Sequence, residues 1–172
     1  MPRYAAFLRG VSPLNAKMPE LKSCFEKSGF KNVATVLSSG NVVFDAPKTA
    51  EKTLEEKIEA ALEEHLGRKF ATIVRSLETL QEILDSDPFK EFRLKPGAKR
   101  VVTLLRHPLK EKKSLPIEKN GAQILKVDGN TVFTAYVPDP KKGGLFMVLI
   151  ESTFGKDVTT RTWETIQKVV KK

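Results

Sequence analysis

Two short stretches decide the fold: residues 37–44 read LSSGNVVF, and residues 125–133 read LKVDGNTVF. In each, an apolar run leads into a Gly-Asn pair, and a second apolar run ends in phenylalanine. Gly and Asn tolerate the positive φ angles of tight turns, so each stretch predicts a β-hairpin. Gly40 and Gly129 lie 89 residues apart, close to half of the 172-residue chain. This spacing indicates an internal duplication.

The sequence around the first hairpin predicts the order βαββαβ, which is typical of a ferredoxin-like unit. The expected strands are 4–9, 33–37, 41–44 and 70–74. A first helix begins near Met18 and ends before Gly29, where Phe30 is placed to fold back on the last turn. A second helix, 50–66, carries an apolar stripe at helical spacing: Leu54, Ile58, Leu62 and Leu66.

The second half repeats this order less regularly. We expect a helix over 76–85, capped by Ser76, and then the following elements: strands 100–106, 122–127 and 131–137, a short helix 109–115, and helices 142–154 and 160–171. The fold class is therefore α+β, with two ferredoxin-like halves from an internal duplication and extra helices at the linker and the C-terminus. The expected domains are 1–75, a helix and basic linker over 76–98, and 99–172.

Composition narrows the function classes. Hydrophobic residues make up 40% of the chain, enough for a core without metal or disulfide support. Cys24 is the single cysteine, which suits a reducing compartment, so we predict a cytoplasmic protein. No apolar run is long enough to cross a membrane, and we expect no membrane partner. His65 and His107 have no ligand-type residue at metal-binding spacing, so we expect no metal and no cofactor.

The net charge of +9 is concentrated in one segment. Residues 89–119 hold ten Lys/Arg against Glu91, Glu111 and Glu118. Such a surplus favours anionic partners, including nucleic acid. Single-strand-binding surfaces also place aromatic rings among the cations, and here only Phe89 and Phe92 do so. A solvated basic surface is the alternative interpretation.

Two polar segments of the first half are candidate anion sites. In the loop 8–17, Arg9 and Lys17 supply charge and Asn15 supplies hydrogen bonds beside the start of a helix. In the hairpin turn, Ser39 and Asn41 are further candidates. The alternatives are an ordinary helix entry and an ordinary tight turn. We expect the turn to lie at the opposite end of the sheet from the loop.

A third candidate site opens the predicted last helix. Residues 159–163 read TTRTW, and Thr160 and Arg161 at a helix N-terminus would suit an anion. The alternative is a helix cap followed by a core tryptophan, with Arg161 paired to a carboxylate.

Three motifs resemble those of a bacterial family known only as domain of unknown function 1697. They are FLRGV followed by NAKMPEL, then FKNVATVLSSGNVVF, and TTRTWETIQK near the end. The resemblance implies an α+β fold of two ferredoxin-like halves and no established activity. It singles out the residues at the family's signature positions: Arg9, Asn15, Lys17, Ser39, Gly40, Asn41, Thr160, Arg161 and Trp163.

We therefore predict a binding protein for a small anionic ligand, nucleotide-like ligands included. One alternative is nucleic-acid binding through the basic segment 89–119. Another is an enzyme with a site between the two halves, because Arg, Asn, Ser and Thr can stabilise a developing anion. The sequence contains no local arrangement of nucleophile and general base, and it does not indicate an oligomeric state.

Overall fold

The computed structural model describes residues 1–109, 111 and 113–172. The chain divides into two units: unit 1 comprises Met1–Asp85 and Gln167–Lys172, and unit 2 comprises Ser86–Ile166. Each unit contains one antiparallel sheet, with four strands in unit 1 and five in unit 2, so the α+β class is confirmed. Within the described residues, no helix has the length and apolar character needed to cross a membrane.

Unit 1 contains the elements that the sequence predicted for the first half. They are β1 (Arg3–Leu8), α1 (Met18–Lys27), β2 (Lys31–Val36), β3 (Asn41–Asp45), α2 (Glu51–Leu66), β4 (Thr72–Ser76) and α3 (Leu77–Ser86). The strand order is β2-β3-β1-β4, and all neighbours are antiparallel. β1 is therefore an inner strand, which agrees with its almost continuous apolar sequence.

Aromatic packing organises the core of unit 1. Phe44 of β3 lies 4.5 Å from Phe30 and 5.5 Å from Phe25 between ring centroids, and it stacks with Tyr4 at 5.9 Å. Tyr4, Ala6 and Leu8 of β1 join this cluster because alternate residues of a strand share a face. The apolar stripe of α2 covers the same face, as its helical spacing predicts.

The edge strand β4 is covered by a row of carboxylates. Three glutamates of α2, spaced four residues apart, accept hydrogen bonds from its backbone N–H groups: Glu51 from Ser76 (3.1 Å), Glu55 from Val74 (2.9 Å) and Glu59 from Thr72 (3.2 Å). Arg75 Nη1 lies 3.9 Å from Glu55 and 4.0 Å from Glu51. Exposed strand edges invite pairing with other chains, and here carboxylates occupy the N–H groups that such pairing would use.

Unit 2 has two strands more than the three predicted. Its elements are β5 (Lys99–Leu105), β6 (Ile117–Lys119), β7 (Ala122–Asp128), β8 (Thr131–Tyr136), α4 (Leu145–Phe154), β9 (Val158–Thr162) and the first part of α5 (Trp163–Val170), whose residues from Gln167 belong to unit 1. The strand order is β6-β7-β8-β5-β9. The additional strands are β6 and β9, which form the two edges of this sheet. The sequence analysis missed β6 and assigned residues 160–162 of β9 to the last helix.

Two predicted helices of the second half are wrong in part. Residues 160–162, assigned to the last helix, belong to β9, which pairs with β5 from Val101↔Thr162 to Leu105↔Val158. β-branched threonines fit a pleated strand better than a helix interior, and the helix begins only at Trp163. The short helix expected over 109–115 is absent from the described residues of that segment, and residues 110 and 112 lie outside the description.

The core of unit 2 has two parts. One is a cluster of buried residues on one face of the sheet: Leu105, Ile124, Val132, Ile150 and Val158. The other centres on Phe89, whose ring meets Phe133 and Trp163 edge to face at 5.7 and 5.1 Å. Trp163 is thus a core residue of the unit, as the alternative interpretation of TTRTW expected.

Candidate functional site

The β1–α1 loop and the β2–β3 turn lie at the same end of sheet 1, so the expectation that they lie at opposite ends is wrong. β1 and β3 are antiparallel, and Phe7 near the end of β1 pairs with Asn41 at the start of β3. The turn that precedes β3 must therefore lie where β1 ends. The Leu8 N–H donates to the Gly40 carbonyl at 2.9 Å and joins the two segments directly.

A third loop reaches the same end. The Arg9 N–H donates to the carbonyl of Ala71 at 2.9 Å, which places the α2–β4 connection beside the start of the β1–α1 loop. We call residues 9–17, 37–40 and 67–71 together the loop end of sheet 1. Five of the predicted site residues lie in it or border it: Arg9, Asn15, Lys17, Ser39 and Asn41.

Gly40 fixes the distance between the turn and the loop. Its φ is +88°, and an added Cβ would lie 2.9 Å from the Cβ of Val11 and 3.2 Å from that of Leu8. No side chain fits this approach without displacing one of those two neighbours. The signature glycine is thus needed both for the turn and for the packing of the turn against the loop.

Asn15 holds the β1–α1 loop closed. Its side-chain Nδ2 donates to the Gly10 carbonyl at 2.8 Å, and its Oδ1 accepts from the Ser12 N–H at 2.9 Å. Both ends of the amide are engaged within the loop, so the structure supports the helix-entry interpretation for this residue. Asn15 fixes the shape of the loop from which Arg9 and Lys17 project.

Asn41 has the same kind of role in the turn. It is fully buried, and its Nδ2 donates to the Val36 carbonyl at 2.8 Å and to Ser39 Oγ at 2.9 Å. These two hydrogen bonds hold the two sides of the hairpin turn together. Ser39 is exposed, and its hydroxyl oxygen accepts the second of these bonds from Asn41.

The cations of the loop end differ in exposure. Lys17 directly precedes α1 and is exposed, and its backbone N–H donates to Glu20 Oε2 at 3.2 Å. Arg9 is half-buried. Arg68 and Lys69 are exposed in the third loop, and the Arg68 guanidinium lies 5.7 Å from the centroid of the Phe70 ring. The sequence analysis missed this pair, although its position between Gly67 and a strand was a usable signal.

Thr160 and Arg161 belong to strand β9 of unit 2, where neither opens a helix. The Arg161 guanidinium donates to Thr159 Oγ1 and to the Thr160 carbonyl, both at 2.7 Å. Burial lowers the pKa of Arg161 to about 10. The Thr160 hydroxyl lies 3.7 Å from the sulfur of Met147. Thr160 and Arg161 thus lie in the strand that leads into α5, and the helix itself begins at Trp163, so the prediction that they open the helix is wrong. Anion binding by these residues stays a prediction.

Several charges of the basic segment 89–119 are paired within unit 2. Lys95 forms a short ion pair with Glu118, Arg100 lies 3.5 Å from Glu164, and Lys90 lies 4.0 Å from Asp87. These contacts reduce the charge that the segment offers to a polyanion. They favour the solvated-surface interpretation for these three residues.

A metal site and a nucleophilic cysteine find little support in the described part of the chain. No group of three or more metal-ligating side chains occurs there. Cys24 is buried on α1, and burial raises the pKa of its thiol. A raised pKa disfavours the thiolate that a nucleophilic cysteine needs, so Cys24 is a packing residue.

Comparison with known proteins places the chain in a family. A solved structure described as a conserved bacterial protein, SP0830, from Streptococcus pneumoniae superposes with a TM-score of 0.71. The two are 19% identical, and the match covers 99% of this chain and 97% of the other, which shows a shared fold. No curated protein matches the sequence. Residues 1–133 match the family model described as protein of unknown function, DUF1697, and the chain therefore belongs to the DUF1697 family.

Proposed function

We propose that the loop end of sheet 1 binds a small anionic ligand, with nucleotide-like molecules among the candidates. The observation that carries the proposal is the convergence of three loops at one end of the sheet, with Arg9, Lys17 and Ser39 on two of them. Arg68 and Lys69 add charge from the third. Cations and a hydroxyl around one anion match the chemistry of phosphate and carboxylate recognition.

The rigidity of the loops supports this proposal. Asn15 and Asn41 engage their amides within the loop and the turn, and Gly40 packs the turn onto Val11. A site whose groups are held in place before binding loses less conformational entropy when the ligand arrives. We therefore assign ligand contact to Arg9, Lys17 and Ser39, and positioning to the two asparagines.

The test is a titration with AMP and, separately, with inorganic phosphate, followed by ¹H–¹⁵N NMR. We expect shifts of the Gly10 and Gly40 amides. Lys17→Glu should weaken AMP binding about tenfold, because it removes one charge-assisted contact and adds a repulsive charge. Lys22→Glu, an exposed charge reversal on α1, is the matched control and should change affinity less than about twofold. Equal effects of the two variants would contradict the assignment of Lys17.

We also propose that the two units are copies of one ferredoxin-like module. Two pairs of backbone hydrogen bonds recur in both units. The Leu8 N–H donates to the Gly40 carbonyl as the Leu105 N–H donates to that of Asn130. The Arg9 N–H donates to the Ala71 carbonyl as the Arg106 N–H donates to that of Asp157. The strand register agrees, because Ala5 pairs with Arg75 as Val102 pairs with Arg161. The segment TTRTWETI at 159–166 is then the second copy of IVRSLETL at 73–80.

The helix starts after the edge strands support the same proposal. The Ser76 hydroxyl contacts the Thr79 hydroxyl at 2.9 Å and accepts from the Thr79 N–H at 3.1 Å. Thr162 repeats both contacts with Thr165, at 2.9 and 3.2 Å. A capping geometry retained in detail at an offset of 86 residues favours descent from a common module.

Nucleic-acid binding by residues 89–119 stays a prediction, which salt-dependent binding of mixed oligonucleotides would test. The cytoplasmic location also stays a prediction, based on the single cysteine.

A further inference from the structure

The solvent-facing side of α4 carries two large apolar residues beside the exposed Ser152. The helix reads LFMVLIESTF, with Glu151 as its one charged residue. Ile150 is fully buried, whereas Leu145 and Val148 are 38% and 60% exposed. A helix on the surface of a sheet ordinarily turns charged and polar residues toward water. The exposure of these two side chains is therefore a cost that an apolar ligand would remove.

Leu145 lines two cavities. The larger, of about 390 Å³, is lined in part by Tyr136 and Phe146, whose stacked rings have centroids 4.6 Å apart. The smaller, of about 90 Å³, lies against Val148. Asn120 and Leu145 line both cavities, which therefore adjoin. The larger falls within the range of small-molecule sites, roughly 300–1,000 Å³.

Each cavity has a lysine in its lining. Lys142 lines the larger cavity and Lys119 the smaller. Asp139 also lines the larger cavity, but its carboxylate accepts from the Lys141 N–H at 2.9 Å and is engaged there. We call the two adjoining cavities the groove along α4. Its lining combines apolar residues with one lysine in each cavity. This pattern is complementary to a molecule that has an apolar chain and an anionic head.

We propose that the groove along α4 binds an amphipathic carboxylate with an unbranched apolar chain. Lys142 pairs with the carboxylate, and the chain covers Leu145 and Val148. This inference concerns unit 2 alone and does not depend on the anion site of unit 1. It gives a role to the exposed apolar residues of α4, which the proposed anion site does not involve.

The test is calorimetric titration of the full-length chain with dodecanoate below its critical micelle concentration. Dodecyltrimethylammonium, with the same chain and a cationic head, is the matched probe. We expect saturable binding of dodecanoate and none of the cation. Octanoate should bind at least tenfold more weakly, because each methylene removed from contact loses about fourfold in affinity.

Two variants locate the site. Val148→Asp and Lys142→Glu should each weaken dodecanoate binding about tenfold or more. The matched controls in unit 1, Leu14→Asp at a 98% exposed position and Lys22→Glu, should change it less than about twofold. Circular dichroism checks that each variant is folded.

Three outcomes would overturn the proposal. One is the absence of saturable heat with dodecanoate, and another is equal binding of the two head groups. The third is a sedimentation experiment that shows a dimer which Val148→Asp dissociates, because a second copy of the chain would then cover the α4 face.

Discussion

The helices α2 and α4 make the same kind of connection within their sheets, yet their exposed residues differ in chemistry. Each leads from an inner strand to the edge strand beyond its neighbour, β3 to β4 and β8 to β9. α2 exposes mostly charged residues and directs three glutamates at the backbone of its edge strand. α4 exposes Leu145 and Val148 and has one charged residue. The same type of connection thus has a mostly charged exposed surface in unit 1 and exposed apolar residues in unit 2.

The segments that follow the first strand of each unit also differ. In unit 1, α1 follows β1 and covers the core with Leu21, Cys24 and Phe25. In unit 2, the described residues between β5 and β6 are not helical, and Leu109 and Leu115 pack on the cluster from a loop. Unit 1 is therefore the more fully covered of the two.

The largest expected effect concerns the carboxylate row of unit 1. Glu55→Ala removes the acceptor of the Val74 N–H and a partner of Arg75, so we expect a loss of about 3 kcal/mol in the free energy of unfolding. Urea denaturation provides the measurement. Glu56→Ala on the exposed side of α2 should cost no more than about 0.5 kcal/mol. Equal losses would show that the row does not stabilise the edge strand.

The next effect compares the two hairpin turns. Gly40→Ala should cost about 2–3 kcal/mol, because the new Cβ meets Val11 at 2.9 Å and the φ of +88° is unfavourable. Gly129→Ala, at φ +60° with open space around it, should lower the free energy of unfolding by about 1 kcal/mol, because only the backbone conformation is unfavourable for alanine. Thermal unfolding of both variants measures the difference, and a Gly129 cost as large as that of Gly40 would refute close packing at the first turn.

A smaller effect tests the equivalence of the two helix caps. Ser76→Ala and Thr162→Val should each cost about 1 kcal/mol, because each removes the acceptor of one N–H in the first helical turn. The measurement is chemical denaturation under one set of conditions. Thr53→Ala on the exposed side of α2 serves as the control. A cost at only one of the two caps would weaken the case for duplication.

Local sequence patterns predicted the elements that depend on neighbouring residues. The Gly-Asn pairs predicted both hairpins, and the stripe of α2 predicted the face that packs on the sheet. Phe30 packs 5.9 Å from Phe25 as its position after Gly29 implied. In these cases the residues that decide the structure lie within a turn or two of one another, so the sequence contains the needed information.

The wrong predictions concern features that depend on which strands pair with one another. The threonines of TTRT resemble a helix cap, but their pairing with β5 makes them a strand up to Thr162. The shared position of the β1–α1 loop and the β2–β3 turn follows from the pairing of Phe7 with Asn41. The sequence analysis drew nothing from the glutamates of α2, and only the position of β4 shows that three of them accept backbone hydrogen bonds. Arg68 and Lys69 had a usable local signal, but only the pairing of β4 with β1 brings their loop to the end of β1.

The contrast between the units is tested most directly by one ¹H–¹⁵N NMR experiment, in which the same labelled chain is titrated with AMP and, separately, with dodecanoate. We predict that AMP shifts amides within residues 9–17, 37–40 and 67–71, and that dodecanoate shifts those within 136–149. Shifts from both compounds in a single unit, or no saturable shift from either, would contradict the account.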